Sequence, residues 1–209
     1  FSPVHIRLGL LAMERFDYSN ALPHFQKVLQ RDPTNGDAHY FMGVIYSELD
    51  QRLEAQRHFY LLMSISMGLL DVLNQEGMII QVKWPNDMVS AGRKIGGILI
   101  ENSIQGRRVS SSVIGIGLNV NQTRFTFAGG NPTSMKLELG RTIDRENLFA
   151  HALEHMTTWI NRLYRKEWSR IRENYLQHLF QFEQWADYTD AEGDFRGRIT
   201  GVLEGGELS

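Results

Sequence analysis

Residues 83–97 concentrate side chains that can bind an anion together with a divalent cation. Lys83 lies directly before a Trp-Pro step, and Asn86 and Asp87 follow that step. Lys94 then lies shortly before a Gly-Gly pair and an apolar run. Two ammonium groups beside an amide and a carboxylate suit a negatively charged ligand that arrives with a metal ion. The pattern therefore indicates a site for a ligand such as a nucleotide phosphate.

The local sequence predicts a strand, a tight connection and a second strand around these side chains. Residues 81–84 are expected to be extended, since Pro85 disfavours a helical conformation at the residue before it. Residues 90–92, Ser-Ala-Gly, are typical of a turn. Residues 94–101 are rich in Ile and predict the second strand. An ordinary interpretation stays open, because Asn-Asp pairs and basic residues near turns are common without any ligand.

Two motifs, in this order, resemble the biotin protein ligase family. The first is Lys-Trp-Pro-Asn-Asp at 83–87, followed by Lys94 and then by an apolar strand that ends in Glu101. The second, Val-Ile-Gly-Ile-Gly-Leu-Asn-Val-Asn at 113–121, is similar to that family's strand running into Gly-x-Asn-x-Asn. The resemblance covers about residues 55–209. It implies an α+β fold with a mixed or antiparallel sheet covered by helices, a class II synthetase-like ligase domain that is present in part.

The resemblance implies roles for the polar side chains of the first motif. Lys94 is implied to be catalytic and to bind biotin, because it would bridge the biotin carboxylate and the α-phosphate of ATP. Those two anions repel each other by several kcal/mol at about 4 Å in a partly buried site. Lys83 and Asn86 are implied to bind ATP. Asn86 and Asp87 are implied to hold Mg²⁺, and Asp87 is implied to be catalytic by orienting the incoming lysine amine.

The resemblance also implies roles for Gly97 and for the second motif. Gly97 would allow close backbone approach to biotin. Gly96 stands where relatives often have another small residue, which is a mild departure. Residues 110–120 predict a strand paired with the preceding one, with Asn119 and Asn121 on one face because side chains alternate along a strand. Asn119 is implied to contact the adenine or ribose of ATP.

The implied activity is ATP-dependent formation of biotinyl-5'-AMP, followed by transfer of biotin to a carrier-protein lysine. Its partner would be the biotin carboxyl carrier domain of a biotin-dependent carboxylase, and ATP, Mg²⁺ and biotin would be required. In the family, a Gly-Arg-Gly-Arg-type loop upstream of the first motif closes over biotin and the adenylate, and no such sequence precedes residue 83. We therefore expect a biotin–[acetyl-CoA-carboxylase] ligase whose activity is impaired. Two alternatives stay open: a nucleotide-binding module without transfer activity, and a repeat interaction protein that carries an inactive ligase remnant.

The first part of the chain has the spacing of a different module. Small and large apolar residues recur with the 34-residue period of a tetratricopeptide repeat. The recurring positions are Leu8-Gly9, Ala12, Ala21, Phe25 and Pro33, and then Met42-Gly43, Tyr46, Ala55 and Phe59. The pattern predicts helical hairpins that bind a protein partner. A generic helical hairpin is the alternative, because apolar residues at helical spacing need only mark a core face.

These patterns divide the chain into three predicted segments. They are tetratricopeptide-repeat-like hairpins at 1–52, a partial ligase catalytic domain at 53–190, and the truncated start of a C-terminal small-barrel domain at 191–209. Expected strands lie near 79–84, 94–102 and 110–119, and expected helices near 51–74, 135–139 and 144–183. Asp144 is the expected N-cap of the last helix, and Trp185 an expected core residue. Without a Gly-rich or Pro-rich linker between the first two segments, we interpret the chain as an incomplete or recombined gene product.

Composition narrows the class of protein. A net charge of −2 gives no electrostatic footprint for nucleic acid. The chain has no cysteine, which excludes disulfides and thiolate metal sites and favours the cytoplasm. No apolar run reaches the length needed to span a membrane. A hydrophobic content of 42% fits a globular protein with one full domain and a smaller one.

Overall fold

The computed structural model describes most of the chain in two compact units. The described residues are 2–32, 35–105, 108–125, 131–190, 193–203 and 206–209. The first unit is Phe1–Ala55 and the second is Gln56–Ser209. Their boundary falls inside one helix, close to the predicted segment boundary after residue 52.

The first unit is helical. Helix α1 spans Ser2–Glu14, α2 spans Tyr18–Arg31, and α3 begins at Gly36 and continues into the second unit as Gly36–Gln75. Asp17 caps α2, since its side chain accepts a hydrogen bond from the backbone N–H of Asn20. A small apolar core is formed by Tyr18, Ala21, Phe25, Val28, Ala38 and Ile45.

That this segment is related to tetratricopeptide repeats stays a prediction. Of its positions, Ala21 and Phe25 are buried in this core, and Gly9 lies against the Phe25 ring. Pro33 lies outside the described residues, as do the surroundings of Gly43 and of the Tyr46 side chain. The expected helix over 51–74 is confirmed as part of α3.

The second unit contains a four-stranded antiparallel sheet with the strands in chain order. The strands are β1 (Ile80–Lys83), β2 (Asp87–Ser90), β3 (Arg93–Gln105) and β4 (Arg108–Leu118). The predicted pairing of the two long strands is confirmed, with Glu101 opposite Val113. The predicted turn is confirmed too: Ala91 and Gly92 have φ of 46° and 72°, as a two-residue hairpin with a mirror-image turn requires.

Strand β2 corrects the prediction of a simple connection between two strands. Asp87 begins this strand and is not a turn residue, and it pairs with Lys83 on one side and Gly97 on the other. Four residues that include Asp and Ser carry little intrinsic strand preference. The pairing on both sides therefore determines the strand, and a local sequence pattern cannot reveal it.

The outer edge of β1 is covered by a segment from much later in the chain. The N–H of Val82 donates to the carbonyl of His178 at 2.8 Å, and the N–H of Phe180 donates to the carbonyl of Val82 at 2.8 Å. Val82 is fully buried. This edge is thus satisfied by an irregular segment, and the strand leading into the Lys-Trp-Pro-Asn-Asp motif is held on both sides.

Three helices follow the sheet. Helix α4 spans Met135–Leu139, as predicted, α5 spans Arg145–Tyr164 and α6 spans Trp168–Gln177. The Asp144 carboxylate accepts from the N–H groups of Glu146 and Asn147, which confirms the predicted N-cap. The single helix expected over 144–183 is wrong, because the chain turns between α5 and α6 with Lys166 at φ 59°.

The main core of the second unit packs α3, α5 and α6 against the sheet. Gly68 of α3 lies so close to α5 that a Cβ there would sit 2.5 Å from the Met156 Cα.

After α6, β5 (Trp185–Asp190) and β6 (Gly193–Arg198) form an antiparallel hairpin. Trp185 is 63% exposed, so its prediction as a core residue is wrong. The small-barrel interpretation of the last residues stays a prediction. Among the described residues, no helix has the length and apolar content needed to span a membrane.

Candidate functional site

The turn between β1 and β2 is fixed by contacts from two distant parts of the chain. Trp84 donates its indole N–H to the carbonyl of Gly206 at 2.8 Å. The Tyr175 hydroxyl lies 3.4 Å from the carbonyl of Pro85. Burial raises the pKa of Tyr175, so the phenol remains protonated and able to donate that contact. The Lys-Trp-Pro-Asn-Asp turn is therefore a preorganised element.

Asn86 joins this turn to β3. Its side-chain amide donates to the carbonyl of Ile98 at 2.8 Å, and the N–H of Ile98 donates to the backbone carbonyl of Asn86 at 2.9 Å. The amide nitrogen thus has one structural partner and keeps one N–H that is free among the described residues, while Oδ1 is the atom of this side chain that could bind a cation. The predicted role in metal binding depends on that oxygen, whereas the second N–H could contact a phosphate.

A row of residues in register crosses the sheet beside this turn. Lys83 pairs with Asp87, Asp87 with Gly97, and Gly97 with Gly117. Directly paired residues project to the same face of an antiparallel sheet. Two charged side chains on β1 and β2 are therefore followed by Gly97 on β3 and Gly117 on β4. These two glycines leave the sheet surface open, and we call this surface the glycine floor.

Lys94 reaches this row because of an irregularity in the sheet. Regular alternation would put Lys94 and Gly97, which are three residues apart, on opposite faces. The register shift between Met88 and Val89 changes that alternation. Lys94 Nζ then lies 2.5 Å from Asp87 Oδ1, and its Cε would lie 3.8 Å from a Cβ at Gly97. The structure thus brings together Lys94, Asp87 and Gly97, as the predicted roles require.

Neither glycine of the Gly96-Gly97 pair has room for a side chain. A Cβ at Gly97 would lie 3.1 Å from Asp87 Oδ1, so even alanine would press on the ion-paired carboxylate. A Cβ at Gly96 would lie 2.6 Å from the carbonyl oxygen of Gly117, a backbone atom that cannot move aside. A side chain at position 96 of this chain would therefore meet the neighbouring strand; that Gly96 is a mild departure from the relatives stays a prediction.

The second motif ends in two asparagines with different surroundings. Strand β4 ends at Leu118, so the expectation that Asn119 and Asn121 share a face of the strand is wrong. Asn119 donates its side-chain amide to the carbonyl of Thr133 at 3.0 Å. Asn121 turns the other way, and its side chain both donates to and accepts from the backbone of Ile143. Asn119 is the one that stays beside the glycine floor.

An open cavity of about 700 Å³ lies over this floor. It is lined by Lys94, Gly96, Gly97, Gly117, Leu118, Asn119, Gln122, Arg124, Phe125 and Pro132. Three of the predicted site residues, Lys94, Gly97 and Asn119, are in this lining. Asp87 is connected to it through Lys94, whereas Asn86 and Lys83 stand beside it on the neighbouring turn and strand. Their predicted roles in binding stay predictions.

Sequence reasoning missed the lining residues Gln122, Arg124 and Phe125. They follow directly after the second motif, but side-chain types in a loop carry no periodic signal. The residues that follow the loop contact β3: the Lys94 N–H donates to the Asn131 carbonyl at 3.1 Å, and the Thr133 N–H donates to the Lys94 carbonyl at 2.8 Å. These contacts explain why the loop borders the same cavity.

A second cavity, of about 530 Å³, has a different character. It lies among α3, β4 and α5, and its lining is almost entirely apolar, with Ile116, Phe149 and Leu153 among its members. None of the predicted site residues lines it. Chemistry between a carboxylate and a phosphate needs fixed charges and hydrogen-bond donors, so the cavity beside Lys94 is the better candidate.

The side chains near the candidate site also allow a test of the implied metal. Asp87 and Asn86 supply hard oxygen ligands of the kind Mg²⁺ prefers. Among the described residues no cluster of three or more His, Cys, Asp or Glu side chains could hold a metal by itself. The residues therefore fit a magnesium ion that is bound mainly through ligand phosphates and water.

The chain matches known proteins in the region that builds this site. Residues 28–119 match the Biotin/lipoate A/B protein ligase family. The Bifunctional ligase/repressor BirA of Bacillus subtilis (strain 168) is 40% identical over 80 residues, which are 37% of this chain and 25% of that protein. The Biotin--[acetyl-CoA-carboxylase] ligase of Paracoccus denitrificans is 26% identical over 131 residues, 61% of this chain and 55% of the relative.

Solved structures share the fold. The apo biotin protein ligase from Aquifex aeolicus has a TM-score of 0.61 at 20% identity, over 72% of this chain and 66% of its own. A biotin protein ligase-like protein of unknown function from Silicibacter sp. TM1040 has a TM-score of 0.62 at 17% identity, over 73% and 67%.

Residues 28–119 are thus similar to the Biotin/lipoate A/B protein ligase family, and the solved structures share the fold of this chain. The chain spans only 25% to 55% of the length of the two curated relatives named above. The family match begins at residue 28, so part of the segment predicted to be a repeat lies inside the matched region.

Proposed function

We propose that this chain carries the nucleotide-binding and carboxylate-activating part of a biotin protein ligase. The observation that carries the proposal is the convergence of Lys94, Asp87 and Asn119 beside a glycine floor, although they lie on three different strands or strand ends. The family match over residues 28–119 supports the same conclusion. The whole reaction would be ATP-dependent formation of biotinyl-5'-AMP and transfer of biotin to a lysine of a biotin carboxyl carrier domain.

Lys94 has the central role in this proposal. In the first step a biotin carboxylate oxygen attacks the α-phosphorus of ATP, and the bond from that phosphorus to the pyrophosphate oxygen breaks. Lys94 would exchange its ion pair with Asp87 for contacts to the carboxylate and phosphate oxygens, which offsets their mutual repulsion. Lys83 and Asn86 would hold phosphate groups, and Asn119 the adenine or ribose.

Asp87 and Asn86 would hold Mg²⁺ together with the nucleotide, and the ion would neutralise phosphate charge. In the transfer step the lysine amine of the carrier attacks the biotinyl carbonyl carbon, AMP leaves, and the amine loses a proton. Asp87 would orient that amine. Gly97 would let the backbone of β3 approach biotin, because any side chain there would meet the Asp87 carboxylate at 3.1 Å.

Calorimetric titration of the chain with ATP and Mg²⁺ tests the binding part of the proposal. We expect weak but measurable binding that Lys94→Ala reduces by about 1–3 kcal/mol, the usual effect of losing one charge-assisted contact. Lys166→Ala is the matched control, since Lys166 is exposed in the turn between α5 and α6. Equal ATP binding by the wild type and Lys94→Ala would refute the assignment of Lys94.

Biotin-dependent exchange of labelled pyrophosphate into ATP tests the chemical step. We expect this exchange to be very slow, because residues 1–82 contain no Gly-Arg-Gly-Arg-type sequence to shield the mixed anhydride from water. Asp87→Asn should lower the Mg²⁺ dependence of ATP binding. Exchange at the rate of a full-length ligase would show that the proposed impairment is wrong.

A second candidate function is protein binding by the first unit. Helix α1 exposes apolar side chains at helical spacing: Val4 is 60% exposed, Leu8 41% and Leu11 44%. Such a stripe is a typical binding surface for a partner. If ATP binding is absent while Leu8→Glu and Leu11→Glu leave the fold intact and abolish binding of a partner, the interaction function is favoured.

A further inference from the structure

Thr133 is fully buried, and it bonds to three separate elements of the second unit. Its exposed fraction is 0%. Its backbone N–H bonds to β3, its carbonyl to the residue that follows β4, and its hydroxyl to helix α4. A buried polar group without a hydrogen bond is destabilising, and here all three groups have a partner. The contacts therefore hold this residue in one defined place.

The backbone of Thr133 joins two residues of the candidate site. Its N–H donates to the carbonyl of Lys94 at 2.8 Å, and its carbonyl accepts from the side-chain amide of Asn119 at 3.0 Å. Pro132, the preceding residue, forms a parallel bridge with Lys94. Both Lys94 and Asn119 line the 700 Å³ cavity. One buried residue thus sets the position of the Lys94 backbone relative to the Asn119 side chain.

The hydroxyl of Thr133 fixes this arrangement to α4. It donates to the Glu138 carboxylate, and the same carboxylate oxygen, Oε1, lies 2.7 Å from a guanidinium nitrogen of Arg93. Hydrogen bonds to an ionised carboxylate are stronger than neutral ones, and the Glu138 side chain is only 15% exposed. Since Arg93 directly precedes Lys94, the chain of contacts begins and ends on neighbouring residues of β3.

We propose that Thr133 is a positioning residue of the ligase site, an inference that rests on the proposed function. Thr133 holds the Lys94 backbone and the Asn119 amide at a fixed separation, so that both side chains can contact one bound ligand. Groups that are fixed before binding lose less entropy when the ligand arrives. Loss of the hydroxyl therefore weakens ligand binding through Lys94 and Asn119, although neither of these side chains is changed.

Amide hydrogen exchange of the ligand-free chain tests whether the hydroxyl holds β3. Thr133→Val removes the hydroxyl and keeps the branched shape, and it should speed exchange of the Lys94 N–H by about tenfold, the effect of one lost hydrogen bond. The Val82 N–H, on β1, should exchange at an unchanged rate. Thr133→Ser keeps the hydroxyl and should retain both rates. Thr158→Val is the matched control, because its exposed hydroxyl bonds only within α5.

Calorimetric titration of the full chain with Mg²⁺–ATP tests the positioning role. Thr133→Val should weaken ATP binding by about fivefold, and Thr133→Ser should recover most of the affinity. In a Lys94→Ala background, Thr133→Val should weaken binding less, because one of the groups that it positions no longer contributes. If Thr133→Val does not fold, Glu138→Gln replaces it in both experiments, since it weakens the same hydrogen bond from the other side; smaller changes in the same directions are then expected.

The possible failures separate the two proposals. If Thr133→Val leaves ATP binding unchanged while Lys94→Ala weakens it, the positioning role is refuted and the proposed function stands. If the Lys94 and Val82 amides exchange faster by the same factor, or if Thr133→Val costs the same affinity with and without Lys94, the substitution acts on general stability and the positioning role is refuted. If the wild type binds no ATP, the proposed function is refuted and the positioning role with it.

Discussion

Both units of this protein place a glycine where a helix meets its neighbour, but the two contacts differ in rigidity. In the first unit, a Cβ at Gly9 would lie 2.6 Å from the edge of the Phe25 ring. In the second, a Cβ at Gly68 would lie 2.5 Å from the Cα of Met156. A ring can rotate away, whereas the backbone of a packed helix cannot. The packing of the second unit therefore fixes the distance between two helix backbones, whereas that of the first unit can adjust by moving one side chain.

Polar contacts show the same contrast. In the second unit the side-chain amides of Asn86, Asn119 and Asn121 bond to backbone groups 12 to 22 residues away. In the first unit the side chains of Asp17 and Asn35 bond within three residues of themselves, and the contact between the His5 and His24 rings spans 19 residues but joins two side chains and fixes no backbone group. Long-range polar contacts of this kind position a site, and local ones only cap helices. The four predictions that follow test this contrast.

Gly68→Ala should have the largest effect on the free energy of unfolding. We expect a loss of about 3 kcal/mol, because the added methyl would force α3 and α5 apart. Ser66→Ala in the same helix is the control: its buried hydroxyl has no hydrogen-bond partner among the described residues, so its removal should be neutral or stabilising. Chemical denaturation of both variants measures this. Equal stabilities would show that the contact between α3 and α5 can relax.

Asn121→Ala should cost about 2 kcal/mol, because it leaves both the N–H and the carbonyl of Ile143 without their side-chain partner. Asn161→Ala, on the exposed face of α5, makes the same chemical change and should stay within about 0.5 kcal/mol of the wild type. Thermal unfolding distinguishes the two. A similar small effect for both would mean that water replaces the Asn121 contacts.

Gly9→Ala should have a smaller effect than Gly68→Ala, about 1 kcal/mol or less. The Phe25 ring can move, and alanine gains about 1 kcal/mol over glycine in a helix. Amide hydrogen exchange in α1 and α2 reports on this unit separately. A loss of protection as large as that caused in α5 by Gly68→Ala would abolish the contrast between the two units.

The smallest expected effect is a pH dependence confined to the first unit. Burial, followed by the nearby positive charges of Lys27 and His24, lowers the pKa of His5 below its usual value of 6.5. The neutral form is then favoured on folding, so this contribution to stability is present above pH 6.5 and is lost as the pH falls below it. His5 Nδ1 lies 3.0 Å from His24 Nδ1, and two protonated rings would repel each other.

Amide exchange of α1 and α2 at about pH 7.5 and pH 5.5, corrected for intrinsic rates, measures this effect. His5→Gln should remove the difference between the two pH values. If protection in the second unit falls by the same amount, the effect does not arise from His5.

The sequence alone determined the chemical inventory of the candidate site and much of its local structure. The Lys-Trp-Pro-Asn-Asp motif, the turn at Ala91-Gly92, the Asp144 cap and the short helix α4 could all be predicted. Each depends on neighbouring residues, whose conformational preferences act over a few positions. The antiparallel pairing of β3 with β4 was predictable for the same reason, because a short connection leaves little choice of partner.

Only the tertiary structure decided which of these residues meet. Strand β2 exists because it is paired on both sides. The register shift beside Met88 brings Lys94 to the face of Asp87, and Asn119 stays beside the cavity while Asn121 bonds to Ile143. The need for Gly96 arises from a carbonyl on another strand. Such relations depend on contacts between residues far apart in the chain, and they are set by packing and hydrogen bonding of the whole sheet, which no local pattern encodes.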